Sequence, residues 1–176
     1  MFKHLKILIS IFIVLSLALA GCGKAKLSAI PAKSDYSLIP VYTLDGRSVY
    51  LNASATPLEF FSISSNDLPE IEKMVMDLKP QKPLVYVATF FNTSNVNEAI
   101  KETKSFVEKN KISGSVVIQA GEPHAYVKNV PSLVTLDQAK DGQAPSPRII
   151  EGKPSKEQLT AALTNPTNTA KADSKK

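Results

Sequence analysis

One cysteine, two histidines and no tryptophan occur in 176 residues, and each scarcity removes a class of chemistry. A single thiol can neither close an intramolecular disulfide nor work as a Cys-x-x-Cys pair. The two histidines, His4 and His124, fall short of the several Cys or His that zinc sites draw on, so no metal and no cofactor is expected. No G-x-S-x-G surrounds any serine, and beyond the first residues His124 is the only imidazole that could activate one. The formal net charge is only +5, without an arginine-rich run or interleaved basic and aromatic residues. Nucleic-acid binding, which needs a clustered basic patch, is therefore not expected.

What is present is 43% apolar and 21% charged residues, the balance of an ordinary globular domain with one core. Residues 1–21 (MFKHLKILISIFIVLSLALAG) place Lys3 and Lys6 before an apolar stretch from Ile7 to Ala20 that carries only Ser10 and Ser16 as polar members. This reads as an export signal, too short for a spanning helix of about 20 apolar residues.

Leu19-Ala20-Gly21-Cys22 resembles the lipobox of bacterial lipoproteins. The resemblance implies a diacylglyceryl group on the Cys22 sulfur and cleavage just before it, which removes Lys3 and Lys6 and lowers the charge to +3. It also implies a mature protein with no free thiol, anchored in the bacterial cell envelope outside the cytoplasm. That would be the outer face of a single membrane, or the outer membrane of a diderm host, since Gly23 is not the aspartate of inner-membrane retention. The alternative is a plain secretory signal followed by an incidental cysteine. The expected domains are a lipoprotein signal at 1–21, a lipidated N-terminus and tether at 22–35, a folded domain at 36–164 and a polar tail at 165–176 whose lack of large apolar residues leaves it nothing to bury.

Within 36–164 the periodicities alternate. Val41–Leu44 and Ser48–Leu51 flank Asp45-Gly46-Arg47, a hairpin signal. Leu58–Ile63 reads as a strand leading to a helix in which Asp67 is the expected N-cap and Glu70 its capping-box partner, with Leu68, Ile71, Val75 and Leu78 on the apolar face and Pro80 as the stop. Leu84–Ala88 reads as a doubly buried strand. Val96, Ala99, Ile100, Thr103 and Val107 mark a second helix, Ser115–Ile118 a third core strand, and Ser132–Leu136 with Arg148–Ile150 a second hairpin. Ser155 caps a last helix faced by Leu159, Ala162 and Leu163. Lys101, Lys104, Lys109 and Lys111 read as a solvated face. The order ββ-β-α-β-α-β-β-β-α predicts an α/β domain, a mixed sheet flanked by helices on both faces with an N-terminal β-hairpin.

Four segments carry a further likeness: Tyr42–Arg47; Phe60-Phe61-Ser62-Ile63-Ser64-Ser65-Asn66-Asp67-Leu68; Tyr126-Val127-Lys128-Asn129-Val130-Pro131-Ser132-Leu133-Val134; and Glu151-Gly152. In this order and spacing the chain from Ile39 to Leu163 resembles the thioredoxin-like fold in its TlpA/ResA form, found in membrane-tethered extracytoplasmic proteins. That family works through a Cys-x-x-Cys pair at its first helix. Ser65 and Leu68 stand there in this chain, and no cysteine follows Cys22, so thiol-disulfide oxidoreductase activity is not expected.

The resemblance implies a cis Val130-Pro131 bond beside the junction, and a groove lined by Ser64, Ser65, Asn66, Asp67, Val130 and Pro131 in which Val130 offers backbone hydrogen bonds to an extended peptide. The leading expectation is a lipid-anchored, redox-inactive thioredoxin-like protein that binds or scaffolds an envelope protein or peptide and is not an enzyme. Two alternatives stand beside it. One is an enzyme with non-thiol chemistry in the same groove, which a perturbed carboxylate there would favour. The other is a structural envelope protein whose groove is vestigial.

Overall fold

The computed structural model describes residues 38–119, 127–136 and 147–164. The signal, Cys22, the tether, His124, Tyr126 and the 165–176 tail lie outside the described residues. Strands β1 (Leu38–Thr43), β2 (Ser48–Asn52), β3 (Leu58–Phe61), β4 (Val85–Ala88), β5 (Ser115–Ile118), β6 (Ser132–Leu136) and β7 (Pro147–Glu151) alternate with helices α1 (Asp67–Leu78), α2 (Val96–Asn110) and α3 (Lys156–Leu163). The element order matches the one the sequence predicts. No helix among the described residues is long and apolar enough to cross a membrane.

The strands form one mixed sheet in the order β2-β1-β5-β4-β3-β6-β7. Its centre, β3, β4 and β5, is parallel, and β1, β6 and β7 add antiparallel partners. Tight pairing of β1 with β2 follows from Gly46, whose φ of +88° suits a residue without a Cβ, and from the Thr43 amide donating to the Arg47 carbonyl at 2.9 Å.

Among the described residues the helices cover one face of the sheet, where the sequence predicts cover on both. All three helices place their buried side chains in one cluster, where Leu68, Ile71, Ile100 and Leu159 meet Phe61, Tyr86 and Ile118. The reason is handedness. β3-α1-β4 and β4-α2-β5 both step the same way across the sheet, and right-handed crossovers in one direction leave both helices on one face. The alternate side chains Ile39, Val41, Leu58, Phe60, Val87 and Val134 form a second buried cluster with no helical member among the described residues.

Helix ends follow local chemistry. Ser155 makes the reciprocal capping box with Gln158, as its sequence position predicts, and the Asn95 side chain accepts from the amides of Asn97 and Glu98 to start α2. The α1 start differs. Its N-cap is Asn66, which makes no side-chain capping bond; Asp67 is the first helical residue, and Glu70 bonds Lys153 rather than closing a capping box. Asp67 lies one position too far along to cap, because the Ser62–Asn66 turn ends one residue earlier than the spacing alone indicates. Lys79, left-handed at φ 46°, ends α1 before Pro80.

Candidate functional site

The register of the sheet assembles the site. Phe60 pairs with Ser132 on one side and Val87 on the other, so the chain leaving β3 at Phe61 and Ser62 emerges between Val130-Pro131 and Thr89-Phe90. The Thr89 amide donates to the Phe61 carbonyl at 2.9 Å, fixing the β4 side. On the other side the Gly152 amide donates to the Pro131 carbonyl at 2.8 Å, and the adjacent Lys153 ion-pairs with Glu70 in the first turn of α1. Segments more than sixty positions apart thus meet, and the Val130-Pro131 bond is cis.

Between them Ser62 to Asp67 forms a self-bonded turn. The Ser65 amide donates to the Ser62 carbonyl at 3.0 Å, and the hydroxyls of Ser62 and Ser64 lie 2.7 Å apart. Ser65 Oγ donates to Asp67 Oδ2 at 2.5 Å and accepts from the Asp67 amide at 3.2 Å. Ser64 and Asn66 are exposed, Ser65, Asp67 and Val130 half-buried, and Pro131 buried. Ser132 Oγ donates to the Asn129 carbonyl at 2.6 Å, bracing the turn before Pro131. Among the described residues no hydrogen bond engages the amide or carbonyl of Val130. An unpaired, half-exposed backbone unit beside a polar turn is an edge on which an extended chain can add. On the opposite rim stands Phe90, 43% exposed and held at φ 57°, a region that costs a bulky residue backbone strain.

Two carboxylates are buried in the helix-covered layer, Glu59 on β3 and Glu72 on α1, the latter at the opposite end of the strands from the groove, where Ser113 and Gly114 precede β5. Glu72 is fully engaged: Oε1 accepts from the Ser113 amide at 2.8 Å, Ser113 Oγ at 2.6 Å and the Gly114 amide at 3.0 Å, while Oε2 accepts from Tyr86 Oη. Burial pushes this carboxyl up, but the donors outweigh it and hold Glu72 below the ordinary range. Burial together with Glu72 raises the Tyr86 phenol. Glu59 is the opposite case. It is 0% exposed, both its oxygens lack any hydrogen-bond partner, and burial, reinforced by the Asp67 charge, raises it well above the ordinary range. The signal for it was alternation: with Leu58 and Phe60 on one face of β3, Glu59 shares the helix-covered face with Phe61.

Among the described residues, the buried side-chain atoms without partners belong to Glu59, Thr89 and Gln119. Thr89 and Gln119 lie just past the C-terminal ends of β4 and β5, and Glu59 sits two residues before the end of β3.

No protein-family model matches the sequence, and no curated protein is similar to it. Solved structures are. MTB dsbF, determined in mixed oxidized and reduced forms, superposes with a TM-score of 0.50 at 14% identity, covering 76% of this chain and 97% of its own. The fold is thioredoxin-like. A putative thiol-disulfide oxidoreductase from Bacteroides vulgatus (TM-score 0.49, 16% identity, 77% and 88% coverage) and StoA from Bacillus subtilis (0.47, 19%, 76% and 98%) are also similar. Where those descriptions speak of oxidation, reduction or thiol-disulfide chemistry, this thioredoxin-like chain has one cysteine, Cys22, well before the sheet.

Proposed function

We propose that the chain is a lipid-anchored extracytoplasmic protein whose thioredoxin-like domain binds a protein or peptide partner without thiol chemistry. The partner lies extended across the groove between Ser64–Asp67 and Val130-Pro131, and the unpaired backbone of Val130 is the observation that carries this reading. Strand addition draws its affinity from main-chain hydrogen bonds and needs no thiolate. A serine hydroxyl at the junction cannot cycle through a disulfide, so the domain is redox-inactive.

A perturbed carboxyl, Glu59, favours a second reading, an enzyme with non-thiol chemistry in the groove. Its complete burial speaks against that role, since a group that reaches no solvent reaches no substrate, and Ser65 Oγ bonds Asp67 instead.

The test is capture from solubilised envelopes by the full-length lipidated chain, compared with its Ser65→Trp variant. The indole fills the groove mouth, and a specific partner is retained at least about tenfold less, the loss of roughly 1.4 kcal/mol of binding. Equal retention by both chains overturns the groove assignment.

Anchoring is tested separately. Cys22→Ser removes the sulfur that carries lipid, and the chain then accumulates with residues 1–21 attached and without acyl label. Each buried methylene contributes about 0.8 kcal/mol, and stable anchoring takes two membrane signals. A Cys22→Ser chain that matures at the same bond and sediments with membranes contradicts the lipoprotein reading.

A further inference from the structure

The body of α1 and its first turn are held in different ways. Glu72 clamps the body to Ser113, Gly114 and Tyr86 through four hydrogen bonds. The first turn, which forms the groove wall, starts at an N-cap without a capping bond and is held by the Ser65–Asp67 bonds and the exposed Lys153–Glu70 pair. Beneath the helical layer, sealed on the same face of the sheet, lies Glu59 with no donor to either oxygen.

We propose that Glu59 is a proton-operated latch on the groove: protonated, it lets the first turn of α1 close over it, and ionised, it drives the Ser65–Glu70 segment open. The proposal rests on the groove reading for its use, though not for its mechanism.

An ionised carboxylate there, 0% exposed and without a donor to either oxygen, is strongly unfavourable. The titratable groups facing it leave one way out. From α1 it is Asp67, an acid; from β4 it is Tyr86, whose hydroxyl already serves Glu72. β6 presents Leu133, the residue paired with Glu59, and among the described residues Asp67 is the one charged group that acts on it. Lys153 acts on Glu70 and Asp67. The flanking strands are locked by their ladders and the α1 body by Glu72, so the uncapped first turn is the element that yields.

The linkage has a definite sign. The closed state binds the Glu59 proton more tightly than an open, hydrated state with an ordinary carboxyl. Opening therefore becomes more favourable as pH rises above the ordinary value of 4.5, by up to about tenfold per pH unit, and levels off above the closed-state value.

Amide hydrogen exchange of the full-length chain in detergent micelles, corrected for intrinsic rates, reads this directly. Expected are protection factors at Asp67, Leu68 and Glu70 that fall at least about tenfold across that window while those of Val75 and Ile118 hold. In Glu59→Gln, which matches the protonated shape and cannot titrate, and in Glu59→Leu, the first-turn protection is flat with pH. Equal pH dependence in wild type and variants, or a Glu59 carboxyl resonance titrating in the ordinary range, overturns the latch. A Glu59-dependent fall without groove-dependent capture upholds the latch and removes the groove reading; groove-dependent capture without the fall does the reverse.

Discussion

Replacing Glu72 by Ala is expected to lower stability by about 2–4 kcal/mol and the thermal midpoint by roughly 5–15 °C. Four donors converge on this carboxylate, two of them backbone amides at Ser113 and Gly114 and one the Tyr86 hydroxyl in the core. Alanine leaves them without this acceptor; the buried Tyr86 hydroxyl bears the cost of an unsatisfied donor, about 1–3 kcal/mol, while exposed Ser113 and half-buried Gly114 add less. The pH dependence has its own sign. Because the folded Glu72 carboxyl is held below its ordinary value of 4.5, its contribution is present above that value and is lost as pH falls through the folded one. The gap between wild type and Glu72→Gln should therefore be widest near neutrality and close in acid, as urea titrations across pH would record. A constant gap would show that Glu72 acts by shape and not by charge.

Gly114→Ala is expected to cost about 2–3 kcal/mol, measured by the same titrations. A Cβ at Gly114 would fall inside the contact radius of Tyr86 Cε2, lie 3.0 Å from Cδ2 and 3.3 Å from Glu72 Oε2. The ring cannot step aside, since Tyr86 is 1% exposed and its hydroxyl is tied to Glu72. Removing the ring relieves the clash, so Tyr86→Leu/Gly114→Ala should cost less than the sum of its single changes. Full additivity would place the defect in the Gly114 backbone instead.

The element order was legible in the sequence because apolar spacing and punctuation agreed at nearly every boundary. Asp45-Gly46-Arg47 turned the first hairpin, Ser155 with Gln158 capped α3, and Leu84–Ala88 read as doubly buried because Tyr86 and Val87 do face opposite clusters. Which face the helices take depends on the spatial order of the strands, which local periodicity does not contain. The α1 start was misplaced by one residue because Asn66 and Asp67 are both good caps and only the Ser62–Ser65 turn decides between them.

At the site, the resemblance to the thioredoxin-like fold pointed to the cis Val130-Pro131 bond, which the register places beside the end of β3. The buried acids were not anticipated. Glu72 reaches Ser113 and Gly114 across more than forty positions, a pairing that exists only once α1 lies over β4 and β5. Glu59 sat in plain view inside an apolar strand, where the alternation of Leu58, Glu59, Phe60 and Phe61 already sends it to the helical side.

The claim that this domain works by holding a partner in its groove is tested most directly by site-specific photo-crosslinking in living cells. A photoreactive side chain goes at exposed Lys128, two residues before Val130, and in a second strain at exposed Lys104 on α2. The account predicts a discrete adduct with an envelope protein from position 128, absent from position 104 and lost when Ser65→Trp is added. No adduct from position 128, or one that forms equally from position 104 and survives Ser65→Trp, would contradict it.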